Sequence, residues 1–521
     1  MKKYYSHIGA NLSASIVVLL VALPLCLGIA LASGAPLFSG IIAGVVGGIV
    51  VGLLSGSQLS VSGPAAGLTA IVAVAILKLQ VYEAFLLAVV LAGVMQVALG
   101  YLKAGVIGDY IPNAVIKGML AAIGLILIMK QFPHLVGYDA NFEGDETFAQ
   151  ADQNNTFSAI YTALNTIKPA AAIIGLGSII LLSIWEKPFI KKNELLRFVP
   201  GPLVVVILAI IINGTIEQLS GIASIESTHL VSLPIAHSTT EFISFFTLPK
   251  FSFITNVQVW ISAVTLAIVA SLETLLGIEA VDKLDPLKRV TPTNKELKAQ
   301  GFGNIISGLI GGLPLTSVIV RSSANVSAGG KTKQATIFHG LLLLLCAALI
   351  PNLLNKIPLS ALAGILIFTG YKLAKITLFK EFYQKGLNQF IPFCVTIIAI
   401  LFTDLLIGIS IGIAVSMIFI IRSNFKTAVL VVNDNNNYLI RFKKDVSFLN
   451  KPIIKSELEL VPENANLVID VARAEYIDKD VIDEVNSFLY HAHLKNIKVA
   501  LRTNPSNALH RLFLTIQNIN L

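Results

Sequence analysis

Charge is what this sequence has least of. Only 13% of its 521 residues are Asp, Glu, Lys or Arg, against about 25% in a soluble globular protein. That deficit excludes an ordinary cytosolic enzyme and a disordered chain. Cysteine is scarce too: Cys26, Cys346 and Cys394 each sit inside an apolar run. Three such thiols argue against a disulfide scaffold, and none is spaced as a metal ligand, so they read as small buried hydrophobes. What is abundant is hydrophobic side chain, 55% of the chain, with a mean hydropathy of +0.79. Apolar runs recur along most of the length, so the expected fold is an α-helical polytopic membrane protein. A net charge of +8 would suggest nucleic acid in a soluble protein. Here it reads as the Lys and Arg of inside loops, and no nucleic-acid partner is expected. The run after the short basic start Met1–His7 is too long for a signal peptide and is kept as the first span.

Measured against the ~20 residues that cross a bilayer, fourteen candidate elements emerge. They cover 12–32, 38–55, 63–79, 83–101, 112–131, 169–186, 199–213, 256–279, 298–312, 321–330, 334–352, 357–373, 388–403 and 404–423. Loop 132–155 holds Asp139, Glu143, Asp145, Glu146 and Asp152 without Lys or Arg, and loop 214–254 holds Lys250 as its one Lys or Arg. Loop 187–197 holds Lys187, Lys191, Lys192 and Arg197; loop 280–298 holds Lys283, Lys288, Arg289, Lys295 and Lys298; loop 371–385 holds Lys372, Lys375, Lys380 and Lys385. With fourteen crossings every basic loop falls on one side, and the positive-inside rule puts that side and both termini in the cytoplasm. The expected location is the cytoplasmic (inner) membrane, with the lipid bilayer as partner.

Residues 1–424 thus read as a transmembrane domain and 425–521 as a soluble one. In the tail, Tyr438–Phe442, Leu467–Val471 and Ile497–Leu501 pattern as strands, and Asp480–His493 and Ser506–Ile516 as helices. Alternating strands and helices imply a small α/β domain.

Two of the candidate elements, 63–79 and 321–330, are too short to span, and each follows an extended stretch, Gln58–Ser62 and Ser317–Val320. They fall at the third and tenth crossings, seven apart. Paired interrupted segments in two halves point to a transporter's substrate site. A half-helix that starts at mid-membrane leaves free N–H groups and a positive dipole end there. Two such ends make an anion site, with Pro64 suited to a first helical turn. Arg321 lies inside this segment, either snorkelling from a helix end or supplying positive potential to an anion. Ser62, Ser322 and Ser323 could donate, although lone serines more often cap backbone. Glu273 is an acid inside an apolar helix, either a proton carrier or cation ligand, or a structural partner for Arg321.

These residues also carry a family resemblance. Val21-Ala22-Leu23-Pro24 with Ala32-Ser33-Gly34, then Val61-Ser62-Gly63-Pro64, resemble signatures of the sulfate permease (SulP) family of anion transporters. So do Asn294-Lys295-Glu296-Leu297-Lys298-Ala299-Gln300-Gly301 with Asn304 and Gly311-Gly312, and Arg321 with Asn325-Val326 and Gly329-Gly330-Lys331-Thr332. The tail is similar to a STAS domain. The resemblance covers essentially the whole chain. It implies a 7+7 inverted repeat, with a core of elements 1–4 and 8–11 moving against a gate of elements 5–7 and 12–14, and usually a homodimer. It places the anion among Ser62, Gly63, Pro64, Ala65 and Ala66 on one side and Ser317, Val318, Ile319, Val320, Arg321 and Ser322 on the other. Glu273 matches the family's eighth-helix acid. Sodium-dependent bicarbonate relatives carry Asp there, a Thr four residues later and a Thr in the third helix. Thr69 matches the last, whereas Glu273 and Gly277 depart, which favours H+ over Na+ as the coupling ion while leaving a Na+ site open. Where phosphoregulated STAS domains have Asp-Ser, this chain reads Ile477-Asp478-Lys479-Asp480, so the tail is expected to act as a scaffold or dimer element.

The expected function is therefore secondary active transport of a small inorganic anion, sulfate or bicarbonate, by an elevator mechanism with H+ or Na+ symport. An anion exchanger, channel or voltage-dependent motor on the same fold, a dicarboxylate transporter and a nucleobase permease are the alternatives. No enzyme is expected. The eight histidines His7, His134, His229, His237, His339, His491, His493 and His510 are scattered, with no nucleophile–base pair and no zinc spacing. No cofactor is expected, and any carbonic anhydrase activity would come from a functionally linked partner.

Overall fold

Each of the apolar stretches becomes a helix in the computed structural model, which describes residues 7–140, 155–191, 199–220, 225–236, 238–426, 429–443, 445–504 and 509–513. Glu143, Asp145, Glu146, Asp152, Lys192, Arg197 and His237 lie outside these residues, as do both ends of the expected 506–516 helix, of which Leu509–Leu512 forms a 3₁₀ turn. Among the described residues seven helices are long and apolar enough to cross a membrane: Ile8–Ala32, Leu37–Leu54, Tyr82–Tyr101, Asn113–Leu135, Val257–Leu284, Leu359–Gln384 and Leu405–Arg422. The bent pair Thr156–Asn165 and Pro169–Trp185 makes up to eight, and Ala66–Leu79, Gly201–Ile216, Gln334–Leu349 and Leu387–Phe402 are shorter apolar helices. The protein is a multi-pass membrane protein.

Contacts divide the chain into two units, Met1–Ile413 and Ala414–Leu521, a division that falls within the helix Leu405–Lys426. In the first unit, Thr293–Leu309 lies along Tyr82–Tyr101, while Asn113–Leu135 packs on Leu359–Leu373 and Leu387–Phe402. Two three-residue strands, β1 (Ser62–Pro64) and β2 (Leu315–Ser317), pair antiparallel with Ser62 opposite Ser317 and Pro64 opposite Leu315. Open backbone survives in a membrane only when covered by protein, and this pair is fully buried. Asn304 clamps it, donating from Nδ2 to Leu315 O (3.1 Å) and accepting from Leu315 N at Oδ1 (2.7 Å).

Several local readings are corrected. Pro64 is a strand residue rather than the first turn of a helix; lacking an N–H, it suits a three-residue strand end. The second half-helix begins at Ile319 and ends at Ser327, so Ile319 and Val320, read as extended, are already helical. Helix Asn113–Leu135 runs four residues past the expected end at 131. Helix Thr156–Asn165 was not anticipated. Its start is a capping box, in which the Asn155 side chain accepts from Phe157 N and Ser158 N while Ser158 Oγ accepts from Asn155 N.

The second unit holds a four-stranded sheet of order β3-β4-β5-β6. The strands are Val429–Asp434, Asn437–Phe442, Asn466–Asp470 and Lys498–Arg502, with β3–β4 antiparallel and the other two pairs parallel. Helices Lys451–Glu459 and Lys479–His491 supply Ile454, Val481 and Val485 to a core that includes Phe442, Leu467 and Ile469. Strand β3 and helix Lys451–Glu459 were missed, the first because its outer half is exposed and ends in Asn433 and Asp434. Asp478 caps the helix Lys479–His491 by accepting from Asp480 N (3.0 Å), so the residue before that helix is a structural carboxylate, with no hydroxyl to phosphorylate.

Candidate functional site

The β1–β2 pair brings the two expected half-sites together. Behind β1 the helical ladder begins with Leu68 N donating to Ala65 O (3.2 Å); behind β2 it begins with Ser322 N donating to Val318 O (3.1 Å). The N–H groups of Ala66 and Gly67, and of Ile319, Val320 and Arg321, therefore precede the first intrahelical bond of their helices. Two short helices thus start from one buried strand pair, on segments more than 250 residues apart.

Arg321 lies in the first turn of the second helix, and none of it is exposed. Its guanidinium crosses to the other half. Nη2 donates to Pro64 O (3.5 Å), and a Cβ placed on Gly63 would sit 2.2 Å from Nη1. Glycine at 63 is thus what lets the cation lie against β1. Nε and Nη1 of Arg321 have no hydrogen-bond partner among the described residues. Cys26 and His339 lie close enough to interact electrostatically with it. The sequence marked neither; His339 is fully buried, with both ring nitrogens unpartnered among the described residues.

The serines divide differently. Ser62 Oγ accepts from Gln300 Nε2 (2.6 Å), Ser317 Oγ shares a hydrogen bond with Ser60 Oγ (2.7 Å), and Ser322 Oγ accepts from Val61 N (2.9 Å) while donating to Val318 O (2.7 Å). Ser323 Oγ donates to Val320 O (2.7 Å). The hydroxyls of Ser62, Ser317 and Ser322 thus stitch the two halves together, whereas that of Ser323 bonds within its own helix. Thr69 Oγ1 and Thr316 Oγ1 are buried without a hydrogen-bond partner among the described residues, and Thr316 stands opposite Gly63. Sequence reading gave Thr316 no role, since it lies one residue before the stretch Ser317–Ser322 assigned to the anion.

Glu273 is buried on helix Val257–Leu284. Its carboxyl lies against the first half-helix, where a Cβ on Gly67 would be 1.9 Å from Glu273 Oε1. Gly277, one turn later, lies against β2: a Cβ there would be 2.4 Å from Ser317 O and 2.9 Å from its Oγ. Gly277 brings no side chain to a coupling ion; it brings space for the strand. Gly277→Ala is expected to cost about 1–3 kcal/mol through overpacking against backbone, read as a lower midpoint in a thermal scan of the purified protein. An unchanged midpoint would show that the strand can retreat.

Away from this centre, Asp139 bridges His134 and His229, and Lys168 Nζ meets His229 Nε2 at 2.5 Å. Sequence spacing hid this group, since its members come from three separate segments. Among the described residues there is no group of three or more His, Cys, Asp or Glu that could hold a metal ion.

The sequence description of the sulfate permease family matches residues 8–399, a span that contains β1, β2, Arg321 and Glu273. This chain belongs to the sulfate permease family. Among relatives of this sulfate permease family member, the putative sulfate transporter YvdB of Bacillus subtilis is 26% identical over 473 residues, 88% of this chain and 84% of that protein. The bicarbonate transporter BicA of a Synechocystis strain is 25% identical over 333 residues, 64% of this chain and 54% of its own length. Two solved structures share the fold. The transmembrane domain of a cyanobacterial BicA aligns with a TM-score of 0.55 at 23% identity, covering 78% of this chain and 98% of that one. The overall structure of SLC26A9 aligns with a TM-score of 0.66 at 17% identity, covering 98% and 87%. The relatives are transporters rather than enzymes, and the β-containing tail of this permease is consistent with a STAS domain.

Proposed function

We propose that the chain is a secondary transporter of a small inorganic anion, sulfate or bicarbonate, coupled to H+ or Na+. The observation that carries this reading is the strand pair with a helix N-terminus on each side and Arg321 laid across it. Backbone N–H groups, two positive dipole ends and a guanidinium with unpartnered nitrogens among the described residues supply donors suited to an oxyanion. The anion binds between Ser62–Ala66 and Val318–Ser322, and Glu273 with Thr69 holds the coupling ion. Elements 1–4 and 8–11 form a core that carries the anion past a gate of elements 5–7 and 12–14. In support, elements 4 and 9 pack along each other, and element 5 packs on both 12 and 13. Both termini face the cytoplasm, and the protein works as a homodimer in the cytoplasmic membrane.

The test is uptake of labelled sulfate and of labelled bicarbonate into proteoliposomes under an inward proton gradient or an inward sodium gradient. Concentrative uptake of one anion with one gradient is expected. Downhill flux indifferent to both gradients would instead mean an exchanger or channel, and uptake of neither anion would sink the substrate assignment.

A further inference from the structure

Glu296 is a buried carboxyl to which no cation is paired among the described residues. It lies in the first turn of helix Thr293–Leu309, ahead of the apolar stretch from 298, and is 0% exposed. Its Oε2 accepts from Ser55 Oγ (2.5 Å) and Gly56 N (3.3 Å), and its Oε1 from Gln300 Nε2 (3.0 Å). Several charged groups of the surrounding elements have contacts of their own. On its own helix, Lys295 is exposed and Lys298 Nζ lies over the Tyr101 ring. On helix Val257–Leu284, Glu273 faces Gly67, Glu279 pairs with Lys283, and Asp282 accepts from Thr291. In the following loop Arg289 holds Asp285. Helix Tyr82–Tyr101 carries Glu83 in its first turn, the turn Ala104–Tyr110 carries Asp109, and Arg321 lies on Gly63. Burial pushes Glu296 above the ordinary carboxylate range, against the lowering by Ser55, Gln300 and Gly56.

The site can take a proton without moving a heavy atom, provided the Ser55 hydroxyl turns its own hydrogen away from Oε2. A proton on Oε2 would be donated to Ser55 Oγ over the existing contact, while Ser55 still accepts from Ser57 N (2.9 Å). Gly56, whose N–H meets Oε2, and Ser57 also line a cavity of about 260 Å³ shared with Asp282, Asp285 and Arg289. On the other side, the Gln300 amide bridges Glu296 Oε1 and Ser62 Oγ, so the carboxyl stands two hydrogen bonds from β1.

We propose that Glu296 is a proton-binding carboxyl of the transport cycle, filled from the cavity behind Gly56 and Ser57 and coupled through Gln300 to an anion beside Ser62. The coupling half rests on the anion-transport reading above. One proton moves from a hydronium ion in the cavity to Oε2: one O–H bond of the hydronium breaks and leaves a water molecule, one O–H bond forms on Glu296, and the carboxylate becomes a neutral acid. Removing that negative charge favours an anion at β1, and by reciprocity the anion favours the proton.

The experiment is an infrared pH titration of the full-length protein in lipid nanodiscs, first without added anion. A buried carboxylic-acid C=O band that titrates in the wild type and is missing from Glu296→Gln is expected; the same band in both overturns the proposal. Glu296→Asp, which keeps a carboxyl, should restore a shifted band, and its failure to do so in a folded protein also counts against it. Sulfate and bicarbonate are then added. Wild-type affinity should fall by about tenfold per pH unit above the titration for one linked proton. That dependence should flatten in Glu296→Gln while low-pH affinity is retained. A wild-type pH slope in Glu296→Gln overturns the coupling. A titrating band with neither anion binding overturns the anion reading and the coupling together, and leaves the proton site standing on the infrared result.

Discussion

Replacing Arg321 with alanine is expected to weaken anion binding by about 100-fold while the protein still folds. A hydrogen bond to a charged partner contributes about 1.5–3 kcal/mol, and about 3 kcal/mol is somewhat over 100-fold in affinity. Arg321 has the donors to supply it, because its hydrogen bond to Pro64 O is long, while Nε and Nη1 have no hydrogen-bond partner among the described residues and face the weak acceptor of the Cys26 thiol nearby. The fold does not depend on the guanidinium in the same way. The strand pair is held by Asn304, by Gln300 on Ser62 and by the serine bridges. Removing a buried cation with unmet donors also relieves its desolvation penalty, which offsets part of the cavity left behind. Titrations of sulfate and bicarbonate against the thermal midpoint would measure both effects at once. Arg321→Lys keeps the charge but loses the planar fork and should fall between the two. Wild-type affinity in Arg321→Ala would remove the arginine from the site.

The sequence exposed the spans because a bilayer demands long apolar runs, and nothing else in the composition competes with that signal. It also exposed the two interrupted segments, the charge within one of them and the acid in the apolar helix Val257–Leu284, since Arg321 and Glu273 are costly where they stand. It did not show that β1 and β2 pair directly. That contact depends on tertiary closeness between Ser62 and Ser317, which no local pattern encodes. For the same reason the partners of the serines were not legible, and Gln300 and Asn304 went unassigned. Both are buried amides that satisfy backbone or hydroxyl groups of the strand pair, and their partners lie far away in sequence or across a turn. Pro64 misled because proline suits both a first helical turn and a short strand end. Helix Thr156–Asn165 was legible in part: an Asn followed three residues later by Ser is a weak cap signal, and it was masked by the acidic loop before it.

The second large effect is expected at Glu273. Glu273→Gln should abolish gradient-driven accumulation and spare anion exchange at equilibrium. Glutamine has nearly the same shape, so it can rest on Gly67 where the carboxyl rests and leave the half-helix in place. What it cannot do is gain or lose a proton, or offer a full negative charge to Na+. One coupled proton and a gradient of one pH unit support an accumulation of about tenfold, and that factor should vanish in the variant. The measurement pairs steady-state accumulation under an imposed gradient with exchange of labelled for unlabelled anion at no gradient. Lost accumulation with preserved exchange assigns Glu273 to the coupling ion. Undiminished accumulation takes the role away from Glu273 and leaves Glu296 as the carboxyl to test. Loss of both activities in a protein that still unfolds at the wild-type midpoint would place Glu273 in the anion site itself, beside the Ala66 and Gly67 N–H groups.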